Sequence, residues 1–140
     1  MAVIRTLLQL LLGAFLLSAG TSHLGSNRTE FLAQVPTWLP LEPDFVVVAS
    51  GLVEITLGVL LIATALIFKK YRSVVGLIAG VFFILIFPGN INQYANQIDA
   101  FGLDTDTKRL IRLFFQPPLV AWAIWSTNAW RLVRKILKVF

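Results

Sequence analysis

Four apolar stretches, each close to twenty residues and joined by short polar links, constrain this chain more than any other feature. They cover about 3–22, 45–68, 74–92 and 113–130. Roughly 20 apolar residues in an α-helix span the ~30 Å hydrocarbon core of a bilayer. None of the four alternates with a two-residue period, so helices are expected rather than barrel strands. The expected fold is therefore all-α, a four-transmembrane-helix bundle formed by residues 1–140 as a single domain. Composition agrees: 57% of residues are hydrophobic and 14% charged, whereas soluble domains are about one-quarter charged.

The basic residues set an orientation. Lys69, Lys70 and Arg72 crowd the link between the second and third stretches. Arg131, Arg134, Lys135 and Lys138 follow the fourth, and Arg5 opens the first. The opposite side carries Arg28, Lys108, Arg109 and Arg112 together with Glu30, Glu42, Asp44, Asp99, Asp104 and Asp106. Lys and Arg are retained on the cytoplasmic side. Both termini are accordingly expected to be cytoplasmic, in a multi-pass protein of a bacterial-type cell membrane. The net charge of +5 then marks orientation and contact with lipid headgroups, and no nucleic-acid partner is expected. The first twenty residues also resemble a signal peptide, whose removal would leave three spans. Against that stand the charge sorting, which needs the first span, and Gly13 and Gly20, which suit close helix packing.

The chain has no cysteine and a single histidine. Disulfides, thiolate metal sites and two-histidine haem ligation within one chain are thereby excluded. No metal site and no intrinsic cofactor are expected, and no Gly-rich phosphate loop or nucleophile beside a base is present.

Association in lipid relies on close packing and interhelical hydrogen bonds. Gly13 and Gly20, Gly51 and Gly58, and Gly76 and Gly80 each place small residues on one helix face. Glu54 shares a face with Ser50, Gly51 and Gly58 and stands roughly 14 Å into its helix. An ionised carboxylate near the bilayer centre costs about 2.5–3.5 kcal/mol on insertion scales. It is expected to face the bundle, protonated or paired. His23 ends the first stretch, Asn90 and Asn92 follow Pro88 at the end of the third, and Arg112 and Gln116 open the fourth. The inner halves of the helices read as almost purely apolar. These polar groups predict an outward-opening cavity with Glu54 at its floor, and His23, Glu54, Asn90, Asn92, Arg112 and Gln116 are its candidate ligand-binding residues. Plainer roles exist for each: Glu54 as an interhelical hydrogen bond, His23 as a cap, Arg112 reaching for headgroups. The residues assign no catalytic role. The link from about 93 to 112 reads as a solvated outer loop, and Thr29–Val35 as a possible short helix.

The same positions carry a resemblance. "GTSHL" around His23, "PTWLP", "SGLVEITLGVLL" around Glu54, "FPGNINQY" and "RLFFQPPLVAWAIW" follow one another as in the DoxX-like family of small four-helix membrane proteins. Gly89 departs from the alanine or similar small residue often found there. The resemblance implies His23, Glu54, Pro88, Asn90 and Gln116 as motif positions. It also implies the company of quinone-linked thiosulfate oxidation, oxidative-stress complexes, methylamine-dehydrogenase maturation or receptor assembly, a spread that leaves activity open.

Three functions follow as expectations. The first is a redox-accessory membrane subunit that binds a small or quinone-like ligand and relies on a partner membrane or redox protein for electron transfer. The second is an assembly factor or chaperone for another membrane protein. The third is a small transporter, for which four spans are few unless the chain forms a homo-oligomer.

Overall fold

A computed structural model describes residues 1–140. The chain is all-helical: α1 (Ala2–Leu24), α2 (Arg28–Gln34), α3 (Pro43–Leu66), α4 (Arg72–Ala95), α5 (Asp106–Ser126) and α6 (Trp130–Leu137), with one 3-10 turn at Lys69–Tyr71. The four long helices run alternately up and down. They form a ring in which α1 lies against α3, α4 against α5, and α1–α5 and α3–α4 contacts close the circuit. Leu12, Leu16, Leu57, Leu61, Val75, Ala79, Phe83 and Ala123 form its core. Three segments, Ala2–Leu24, Pro43–Leu66 and Lys69–Ala95, are long and apolar enough to cross a membrane by length and composition. α5 is not among them, because its first turns carry Asp106, Lys108, Arg109 and Arg112.

Glycine decides how α1 meets α3. A Cβ on Gly20 would stand 2.6 Å from the Gly51 carbonyl oxygen, and one on Gly58 would stand 2.7 Å from that of Gly13. The two seven-residue pairs thus face each other across the antiparallel contact, backbone on backbone, as small-residue faces permit.

The fourth apolar stretch, expected to run to about 130, ends as a helix at Ser126. Asn128 adopts φ 61, its N–H bonds the Trp125 carbonyl, and Ala129 N–H reaches back to Ile124. This is a Schellman ending with asparagine in the left-handed position that glycine usually takes. α6 then departs as a separate basic helix. The expected 93–112 loop is likewise shorter, because α4 continues to Ala95 and α5 begins at Asp106, where Thr105 caps it by accepting from Lys108 N–H. The short helix expected near Thr29–Val35 is present as α2.

Candidate functional site

A cavity of about 640 Å³ lies between the helices at the end of the bundle where α1 and α4 finish. Its polar lining includes His23 of α1, Ser50 and Glu54 of α3, Asn90 of α4, and Arg112 and Gln116 of α5. Ser50 and Glu54 on α3, and Arg112 and Gln116 on α5, each stand one turn apart, so helical periodicity brings both members to the inner face. Apolar side chains, among them Phe15, Val46, Phe83 and Leu119, make most of the wall. The volume falls within the range of sites for small organic ligands.

Glu54 sits halfway along α3 and is 5% exposed. Its Oε2 is buried without a hydrogen-bond partner and lies 3.4 Å from His23 Nε2. The other imidazole nitrogen, Nδ1, is 3.0 Å from Ser50 Oγ and 3.3 Å from the Val47 carbonyl. Ser50 Oγ itself donates to that carbonyl. Nδ1 therefore carries the proton in this arrangement, a tautomer inferred from the bonding pattern, and Nε2 faces the carboxyl group. At 3.4 Å this contact is longer than an ordinary hydrogen bond, so Glu54 Oε2 has no bonding partner of its own. That leaves a proton donor or acceptor aimed into an apolar chamber.

On the opposite wall a chain of amides fixes the geometry. Arg112 Nε donates to Asn90 Oδ1 at 3.3 Å, Asn90 Nδ2 to Gln116 Oε1 at 3.0 Å, and Gln116 Nε2 to the Phe83 carbonyl at 2.5 Å. The guanidinium of Arg112 lies over the ring of Phe101, 5.3 Å from its centre, which suits a cation above an aromatic face.

The mouth is roofed by segments that sequence reasoning assigned no part in the site. Phe31 of α2 packs on the His23 ring and meets Phe101 edge-on at 4.7 Å. Glu30 Oε2 accepts from Phe101 N–H at 2.6 Å, tying α2 to the loop between α4 and α5. That loop is anchored rather than free. Buried Arg109 pairs with Asp99 and Asp106 and donates to the Ile98 carbonyl. Gln93 donates toward the Ile98 and Ala100 carbonyls and accepts from Gln34. At the edge of the loop, the Lys108 ammonium bonds Asp104 at 2.7 Å and holds that carboxyl below the usual carboxylate range.

Asn92 is the candidate that the structure places elsewhere. It is buried, but it accepts from Asn96 Nδ2 and does not line the cavity. Two residues on from Asn90, it points about 200° around the helix.

The opposite half of the bundle, expected to be almost purely apolar, holds several buried polar groups of its own. Gln9, fully buried, donates to the Leu61 carbonyl at 2.8 Å and to Thr64 Oγ1 at 3.0 Å. Arg5, Arg72, Ser73 and Asn128 bond around the turn after α5. A lone glutamine inside a leucine run was the signal available for the first of these.

The pattern of one protein family, described as a domain of unknown function (DUF8561), matches residues 12–127. That stretch contains every cavity-lining residue named above. No curated protein and no solved structure matches the chain.

Proposed function

We propose, from the premise that the chain belongs to the family described as a domain of unknown function (DUF8561), that it is a four-span membrane protein whose outward-opening cavity binds a small quinone-like ligand. All four long helices turn large apolar side chains outward: Leu7 and Leu11, Leu52 and Val59, Ile78 and Leu85, Phe114 and Phe115. Water solvates such faces poorly and lipid does not. α5 is read as the fourth span because it completes the ring and its charged first turns lie at the polar end. The sorting of Lys and Arg supports cytoplasmic termini, and the cavity then opens at the level of the opposite headgroups.

The observation that carries the ligand reading is the convergence of His23, Glu54, Asn90, Arg112 and Gln116 on one largely apolar chamber, with Glu54 Oε2 left unpartnered. A flat ligand with carbonyl or hydroxyl oxygens fits this division. Aromatic and aliphatic walls take its ring, while Arg112 and the His23–Glu54 pair offer a cation and a proton to its oxygens. A redox-accessory role follows the DoxX-like resemblance, with electrons passing through a partner protein. Protein purified in mild detergent and extracted for mass spectrometry is expected to yield a stoichiometric quinone. Repeated extraction without one, and without titratable binding of an added quinone, would overturn the reading.

Two other roles remain distinct by experiment. Recovery of one stoichiometric membrane-protein partner from native membranes would favour assembly. Solute flux into liposomes that disappears in Glu54→Gln would favour transport, with oligomerisation supplying further helices.

A further inference from the structure

A second cavity, about 750 Å³, opens at the other end of the bundle and is of different character. Its long part is a mainly apolar trough made by Ile84 and Phe87 of α4 and Pro117, Val120, Ala121 and Ile124 of α5, and it starts at Gln116, which also lines the first cavity. Its head is polar and aromatic: Arg5, Asn128, Trp125 and Trp130.

Positive charge gathers at that head without a counter-ion. Arg5 donates to Asn128 Oδ1 at 3.3 Å, and its guanidinium lies over Trp125. Arg72 bonds the Ser126 carbonyl in the same turn at 2.8 Å. Arg134 lies over Trp130, 5.1 Å from the ring centre. No carboxylate lies within ion-pair distance of any of the three; the five ion pairs all involve other residues. The Nε atoms of Arg5 and Arg72 are both buried without hydrogen-bond partners. Like charges held together, with donors left over, are stabilised by an anion. Guanidinium groups suit phosphate oxygens in particular.

We infer that this end of the bundle is a binding site for one anionic phospholipid, its phosphate held by Arg5 with Arg72 and Arg134 nearby and one acyl chain lying in the trough along α4 and α5. A free phosphate would leave the trough without a role, whereas a lipid uses the charge and the apolar wall together. From Ile124 back to Pro117 the trough follows α5 for roughly 10 Å, enough for a run of methylenes. Trp125 and Trp130 stand where interfacial indoles are usual. The inference rests on the membrane reading given above.

The test is native mass spectrometry of the full chain in detergent, incubated with phosphatidylglycerol and phosphatidylcholine of identical acyl chains. One phosphatidylglycerol is expected to be retained with roughly tenfold preference, the scale of one charge-assisted contact. Arg5→Gln should abolish the preference, whereas Arg131→Gln, a basic change on α6 outside the site, should keep it. Ala121→Trp fills the exposed wall of the trough and should lose retention with every arginine in place. It carries the test should Arg5→Gln fail to fold. Equal retention of the two lipids by the unaltered protein, or unaltered preference in a folded Arg5→Gln, overturns the site. So does displacement of the lipid by an equal concentration of glycerol phosphate, which would mark a site for free phosphate. A chain that stays monodisperse without detergent would instead bring down the membrane reading itself.

Discussion

Glu54 gives the His23 end of the bundle its chemistry. A buried carboxyl with one oxygen unpartnered is costly unless something binds there, and His23 Nε2 stands 3.4 Å from that oxygen. Glu54→Gln keeps the volume and removes the acid. It is expected to leave the fold intact and to weaken quinone binding by about tenfold, as measured by equilibrium titration. Asn92→Ala should leave binding unchanged. Asn92 and Asn90 show how far residue-level reading reached. Proximity in sequence suggested both, but helical phase admits only Asn90 to the cavity. Glu54 and His23 were legible because a polar group inside an apolar run needs a reason to be there. Phe31, Gln34 and Phe101 were not, since a roof made by loops depends on contacts between segments far apart in the chain.

At the scale of elements, the α1–α3 contact and the roof invite separate tests. Gly20→Ala drives a Cβ against the Gly51 backbone oxygen at 2.6 Å, where no flexible side chain can yield. The helices must separate, and a loss of about 1–3 kcal/mol is expected from overpacking, read as a lower melting temperature in detergent. Gln9→Leu removes the two interhelical hydrogen bonds that Gln9 Nε2 donates but keeps the shape. At about 0.6 kcal/mol for each such bond in membrane helices, it should cost about 1 kcal/mol. Arg109→Ala releases Asp99, Asp106 and the Ile98 carbonyl together, so faster hydrogen exchange over residues 96–105 and looser ligand binding are expected. The glycine pairs were visible in the sequence as seven-residue spacings. The end of α5 was missed although Asn128 signalled it, because the apolar run resumes at Ala129 and Trp130 and masks a turn made by backbone hydrogen bonds.

The whole molecule is a bundle with two chemically different ends. One is the cavity of His23, Glu54 and Arg112, with all seven acidic residues in its half or at mid-depth; the other is an arginine cluster without acids. In intact cells, a membrane-impermeant thiol reagent is expected to label Asp104→Cys and to spare Lys138→Cys. Each is the only thiol in its variant, since the chain has no cysteine. The reverse pattern would invert the proposed orientation. The chamber beneath Phe31 and Phe101 is proposed to hold a ligand through Glu54. Its most direct test is calorimetric titration of a short-chain ubiquinone analogue into the detergent-purified protein and into Glu54→Gln. One saturable site is expected in the unaltered chain, weakened about tenfold in the variant. Absence of saturation, or equal affinity in the two proteins, would contradict it.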